Sequence, residues 1–241
     1  MSFISACCNT MPVKGDYTPI GTTHTDAQMT YYVVGDKGAP RGIVFAYDIF
    51  GLHPNAYQVA DLLSQTGLRV IIPDLLEGKP LTPADLGNPE VFAEFRNNRG
   101  TWEHNKDKFR AAVRVLNSEG TKSVGTIGLC WGAKLSMVAL ADEANGFKSA
   151  ALVHPSLLTN EDFVSAKGPI LLLPTKDEAD FSEGFAAVKA GPHGADSYEE
   201  RLMDMFHGFC GARGDFSDPE IAKNVNRVTL LSAAFFKKTL A

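Results

Sequence analysis

Short runs of apolar residues alternate along the chain with longer segments in which apolar residues recur every three or four positions. The runs are typical of strands buried on both faces of a sheet, and the periodic segments are typical of amphipathic helices. The predicted strands are 30–34, 42–46, 68–73, 123–127, 149–153 and 169–173, with a weaker candidate at 198–203. The predicted helices are 55–65, 91–95, 102–117, 133–140, 182–189 and 220–239. This alternation predicts an α/β fold with a mostly parallel sheet and helices on both faces.

Neither a linker nor an internal repeat divides the 241 residues, so we expect a single domain, with an irregular N-terminal segment at 1–28. Hydrophobic residues make up 44% of the chain, which excludes a disordered protein. The net charge of −5 and the lack of a basic cluster argue against nucleic-acid binding. Apolar runs of about five residues are too short for a membrane span, and no signal peptide is recognisable. We therefore expect a cytoplasmic protein.

The four cysteines are too few and too irregularly spaced for a disulfide framework or a zinc site, so we expect free thiols and no metal. One of them, Cys130, lies in the sequence G-L-C-W-G at 128–132. The segment follows a predicted strand and opens a predicted helix, as the G-x-nucleophile-x-G turn of hydrolytic enzymes does. A helix N-terminus favours a thiolate at this position. The alternative is a buried structural cysteine at a strand–helix turn.

Such a nucleophile needs a histidine and an acid later in the chain. Of three histidines after Cys130, His207 follows the last predicted strand and precedes the last helix, and is the preferred base. His154 directly follows a strand and is the less favoured alternative, and His193 is expected in an exposed turn. The acid should follow the strand at 169–173, where three carboxylates are available. We expect Asp177 to orient the histidine, with Asp180 second and Glu178 the third carboxylate of this loop.

The oxyanion of the reaction should bind two backbone N–H groups. One belongs to Trp131, which follows the nucleophile, and the other should lie in the loop at 47–51 after the second strand.

Several of these segments together resemble the dienelactone hydrolase family. They are G-L-C-W-G at 128–132, D-I-F-G at 48–51, P-D at 73–74 and H-G-F at 207–209. The early A-C-C at 6–8 and D-Y-T-P at 16–19 resemble its fungal members. The resemblance covers nearly the whole chain, and the cysteine is its most specific element. It implies a single-domain α/β-hydrolase that cleaves a small ester or lactone without a cofactor.

The resemblance also implies residue roles. Cys130 would be the nucleophile, Asp177 the acid and His207 the base, and Ile49 would join Trp131 as an oxyanion donor. Bacterial members carry a glutamate that interacts with the thiol. Asp48 occupies that position here and would modulate the thiol in the same way, or act only as a turn-former.

The substrate is less defined by the sequence. Bacterial members bind the substrate carboxylate with arginines, and the loop after residues 73–74 contains none, so an anionic dienelactone is not the expected substrate. Candidate substrate contacts are Tyr47, Phe50, Lys79, His154, Phe209 and Arg213. The expected partner is a small ester or lactone, with the chain a monomer or a homodimer. The competing hypothesis is a non-catalytic protein that keeps the fold to bind a small molecule.

Overall fold

The computed structural model describes residues 12–240, which fold around an eight-stranded sheet. Its strands run in the spatial order β1-β2-β4-β3-β5-β6-β7-β8. The first two are antiparallel to their neighbours, and all pairs from β4 to β8 are parallel. The strands are β1 (Thr22–Thr25), β2 (Thr30–Val34), β3 (Arg41–Ala46), β4 (Arg69–Pro73), β5 (Ser123–Leu129), β6 (Phe147–Val153), β7 (Ile170–Leu173) and β8 (Tyr198–Glu199).

Helices cover this sheet in two packed groups. In the described residues they are α1 (Pro54–Ser64), α2 (Pro83–Leu86), α3 (Pro89–Asn97), α4 (Trp102–Ser118), α5 (Trp131–Leu140), α6 (Asn160–Val164), α7 (Ser182–Ala190) and α8 (Pro219–Thr239). Helix α1 packs against α8, while α4, α5, α6 and α7 pack in sequence against one another. Because helices cover the sheet, every residue of β4 and β7 is buried, as their continuous apolar sequences predict.

The predicted α/β class is confirmed: the chain forms one α/β domain with a mostly parallel sheet. One part of the prediction is wrong, because Thr22–Thr25 forms a strand within the segment expected to be irregular. This strand pairs with β2 at the edge of the sheet, and all four of its residues are exposed. It therefore has no run of apolar residues that could have indicated a strand. The weak candidate at 198–203 shortens to Tyr198–Glu199. Two short helices, α2 and α6, were not predicted.

The segment before β1 lies across α1. The Tyr17 hydroxyl donates to Asp61 Oδ2 at 2.7 Å, and the Ile20 N–H donates to the same oxygen at 2.9 Å. Burial and Asp61 together raise the pKa of Tyr17 to about 12. The Val13 N–H donates to the carbonyl of Ala212 at 2.9 Å, so this segment also reaches the loop before α8.

Cys7 and Cys8 lie outside the described residues, as do the other residues of 1–11. Within residues 12–240, no helix combines the length and the apolar character that crossing a membrane requires.

Candidate active site

Cys130 occupies the sharp turn between β5 and α5. Its φ of 55° and ψ of −117° are strained for a residue with a side chain. The turn is tight because α5 begins directly against β3, where a Cβ on Gly132 would collide with the carbonyl oxygen of Ala46. Glycine at this position therefore allows the helix to approach the sheet and present Cys130 at the carboxyl end of β5.

His207 reaches Cys130 from the loop between β8 and α8. Its Nε2 lies 3.2 Å from Cys130 Sγ, and its side chain is only 4% exposed. The opposite nitrogen, Nδ1, lies 2.7 Å from Glu178 Oε1. A carboxylate accepts hydrogen bonds, so a hydrogen bond between these two groups places a proton on Nδ1; when the ring is neutral, this leaves the Nε2 lone pair facing the sulfur.

The carboxylate on the histidine ring is Glu178, and the predicted ring contact of Asp177 is wrong. Asp177 Oδ2 instead accepts the backbone N–H of His207 at 2.8 Å, and Asp177 is exposed. The Glu178 side chain is 2% exposed and its second oxygen accepts the N–H of Thr175. Asp180 lies two residues before α7, and its Oδ1 accepts the N–H of Ser182. Neighbouring residues of the loop thus point in different directions, and only Glu178 points inward.

Helix α1 contacts the loop that carries His207 and fixes its conformation. Asn55, 3% exposed, donates both amide hydrogens, one to the carbonyl of Gly211 at 2.8 Å and one to that of Gly214 at 2.7 Å. Asp48 Oδ2 accepts the N–H of Ala212 at 2.8 Å. A Cβ on Gly211 would collide with that carboxylate. These contacts fix the loop against two elements that are distant in sequence.

Asp48 is a buried carboxylate that lines the same small cavity as Cys130. Its Oδ1 also accepts the N–H of Phe50 at 2.9 Å. Burial raises the pKa of Asp48, and the two N–H donors and the nearby Arg213 partly oppose this increase. A small cavity beside Cys130 is lined by Asp48, Ile49, Phe50, Cys130, His207, Gly208 and Arg213. The structure therefore brings six of the twelve sequence-predicted site residues around one opening.

The two predicted oxyanion donors come from separate elements, the loop after β3 and the start of α5. Ile49 lines the cavity, and Trp131 is the first residue of α5, directly after Cys130. Within residues 12–240, neither backbone N–H donates a hydrogen bond to another backbone group. The indole of Trp131 is buried and donates to the carbonyl of Gly100 at 2.8 Å, so the side chain is engaged with the loop before α4.

Four of the six candidate substrate contacts lie away from the cavity lining. Tyr47 is buried, with its hydroxyl donating to Asp74 at 2.9 Å and accepting from the N–H of Leu76 at 2.8 Å. Phe209 is fully buried, and Lys79 is exposed on the loop after β4. His154 is fully buried, and its ring lies edge-to-face on His207 at 5.2 Å.

Burial, together with the charge that His207 can carry, holds the pKa of His154 well below its ordinary value, so His154 is neutral at pH 7. Phe50 and Arg213 do line the cavity, with Arg213 Cζ 5.8 Å from the centroid of the Phe50 ring.

Sequence reasoning assigned no role to Ser156, whose hydroxyl lies 3.2 Å from Cys130 Sγ. The signal for it was its place in the segment 154–156, directly after a predicted strand of the sheet. In the described part of the chain, no group of three or more histidine, cysteine and carboxylate side chains is arranged to hold a metal ion.

Comparison with known proteins identifies a family that spans most of the chain. The model of the dienelactone hydrolase family matches residues 29–228. The chain belongs to the dienelactone hydrolase family. An uncharacterised AIM2 family protein of Schizosaccharomyces pombe is 34% identical to this family member over 222 residues, 88% of each chain. A carboxymethylenebutenolidase homologue of Homo sapiens is 26% identical over 146 residues, covering 59% of this chain and 58% of the other.

Solved structures of the dienelactone hydrolase family share its fold. Dienelactone hydrolase from Anabaena variabilis superposes with a TM-score of 0.65 at 18% identity, over 93% of this chain and 99% of the other. This family member therefore has the α/β-hydrolase fold, and the family to which it belongs is one of hydrolases.

Proposed function

We propose that this protein hydrolyses a small ester or lactone through a thioester on Cys130. The observation that carries the proposal is the chain of contacts from Cys130 Sγ to His207 Nε2 at 3.2 Å and from His207 Nδ1 to Glu178 at 2.7 Å. A nucleophile, a base and an acid that orients the base form the arrangement required for covalent acyl transfer.

In the first half of the reaction, His207 Nε2 takes the thiol proton and the sulfur attacks the acyl carbon. Glu178 stabilises the imidazolium that forms. The N–H groups of Ile49 and Trp131 would hold the oxyanion, and each such donor contributes about 3 kcal/mol in related chemistry. His207 then gives its proton to the departing alkoxide, which leaves as the alcohol, or as the free hydroxyl end of a lactone.

In the second half, water attacks the thioester carbon while His207 Nε2 takes one of its protons. The carbon–sulfur bond breaks, its electron pair returns to sulfur, and the proton on His207 restores the thiol. The products are a carboxylic acid and the free enzyme. The cycle needs only water as co-reactant, and we accordingly propose no cofactor.

Phe50 and Arg213 are the residues we propose to contact the substrate. Both line the cavity beside Cys130, so an apolar surface and a cation face the acyl group. Asp48 has a different proposed role. It fixes the loop at Ala212 and, through its raised pKa, can hold a proton near the thiol. We propose the cytoplasm as the location of this activity.

The test is p-nitrophenyl acetate hydrolysis, combined with mass spectrometry of acid-quenched peptides. We expect an acetyl group on Cys130 in the wild type, and neither acetylation there nor turnover in Cys130→Ala. Acetylation confined to Cys7, Cys8 or Cys210 would contradict the proposal. Tight binding of an ester with no turnover, unchanged in His207→Ala, would support the competing hypothesis of a non-catalytic binding protein.

A further inference from the structure

A second polar side chain contacts the sulfur of Cys130. The hydroxyl oxygen of Ser156 lies 3.2 Å from Sγ, the same distance as His207 Nε2, and Ser156 is 4% exposed. Buried serines normally satisfy their hydroxyl on a nearby backbone carbonyl or side chain. One contact of the Ser156 hydroxyl is with the thiol, and this contact lies outside the three-residue arrangement of nucleophile, base and acid.

The backbone around Ser156 is built to hold this contact. The Ser156 N–H donates to the carbonyl of Cys130 at 3.0 Å, and the Cys130 N–H donates to that of Val153 at 3.1 Å. Strand β6 ends at Val153, and the turn after it contains two strained residues, His154 with φ of 35° and Leu157 with φ of 62°. Such backbone strain costs free energy and persists where the surroundings over-determine the conformation, commonly at functional sites.

We propose that Ser156 donates its hydroxyl proton to the sulfur of Cys130 and stabilises the thiolate. The inference rests on the proposed function, in which that thiolate is the attacking and leaving group. A thiol has one proton, and it points to His207 when the ring is neutral. The sulfur lone pairs then accept from Ser156, and the same bond becomes charge-assisted when the proton moves to His207.

This contact acts twice in the reaction without any bond of Ser156 breaking. It first favours formation of the nucleophile. A thioester sulfur is a poor acceptor, so the contact weakens in the acyl-enzyme. When the carbon–sulfur bond breaks, the electron pair returns to sulfur and the hydroxyl again meets a negative charge. The Ser156 proton stays on its oxygen throughout.

The test is the pH dependence of iodoacetamide alkylation at Cys130, followed peptide by peptide so that other cysteines do not contribute. The thiolate is the reacting form, so the midpoint of the rate profile reports its formation. We expect Ser156→Ala to raise this midpoint by about one pH unit, the size expected for losing a hydrogen bond to a charged group. Ser156→Thr keeps a hydroxyl and should restore most of the shift.

Ser136→Ala is the matched control. Ser136 is also buried, and its hydroxyl lies 2.8 Å from that of Thr126. Its removal should leave the Cys130 midpoint unchanged. If Ser156→Ala does not fold, Ser156→Gly removes the same hydroxyl.

An unchanged midpoint in a folded variant that lacks the hydroxyl overturns the proposal. Alkylation requires no turnover, so the two proposals fail separately. A shifted midpoint in a protein without esterase activity would refute only the proposed function, and full esterase activity with an unshifted midpoint would refute only the role of Ser156.

Discussion

The surroundings of two buried cysteines differ sharply, although both side chains are almost inaccessible. Cys130 is 3% exposed and Cys210 is fully buried. The Cys130 sulfur lies within 3.2 Å of both His207 Nε2 and the Ser156 hydroxyl. For Cys210, burial alone raises the pKa to about 12, even though it lies only three residues after His207. Burial by itself makes a thiol inert, and oriented polar partners make a buried thiol reactive.

The test of this contrast with the largest expected effect is to remove each thiol in turn. We expect Cys130→Ala to lose about 1,000-fold or more in kcat/KM for p-nitrophenyl acetate, because no other group can form the acyl-enzyme. Cys210→Ala should stay within about twofold, since its thiol does not ionise near neutral pH. Steady-state kinetics on variants of matched circular dichroism would check both. Similar losses in the two variants would contradict the contrast.

The next test concerns Glu178, the carboxylate that contacts His207 Nδ1. Because His207 Nε2 contacts the Cys130 sulfur, Glu178 belongs to the polar surroundings that distinguish Cys130 from Cys210. Glu178 accepts both the Nδ1–H of His207 and the N–H of Thr175. In Glu178→Gln one of these donors must face the amide NH2, and the imidazolium loses its counter-charge. We expect kcat to fall about 1,000-fold.

Asp177→Asn is the matched neighbour, since its amide oxygen can still accept the backbone N–H of His207. We expect a loss below about tenfold there. A larger loss in Asp177→Asn than in Glu178→Gln, measured by the same assay, would return the role of acid to Asp177.

The smallest expected effect is on stability at high pH. The pKa of Cys210 rises from 9.0 to about 12 on folding, so the folded state binds the thiol proton more tightly. Its contribution is fully present below pH 9 and is lost as the pH rises towards 12, by at most about 1.4 kcal/mol per pH unit. The free energy of unfolding of the wild type should therefore fall relative to that of Cys210→Ala above pH 9. Urea unfolding of both proteins from pH 7 to 10.5 would check this, and a pH-independent difference would show that Cys210 ionises freely in the folded state.

Much of the fold could be predicted because buried parallel strands read as continuous apolar runs. The sharp turn at Cys130 could also be predicted, since its glycines are required by close approach of helix and sheet. Strand β1 could not, because exposed Thr22–Thr25 leaves no apolar signal.

The site was harder to predict at the level of single side chains. Asp177 and Glu178 are adjacent acids, and only the loop conformation decides which one reaches the ring. Tyr47 and Phe209 follow the right strands, but each points into the core. Ser156 carries no spacing signal, and its contact arises from the strained turn after β6.

The amide of Asn55 has a consequence for protein engineering. Its hydrogen bonds to the carbonyls of Gly211 and Gly214 fix the conformation of the loop 207–214. Asn55 lies in a helix more than 150 residues earlier in the chain than this loop. Transplanting this loop from a relative to alter specificity would therefore not transfer the hydrogen bonds that fix its conformation. The recipient must already have an asparagine in the first turn of α1.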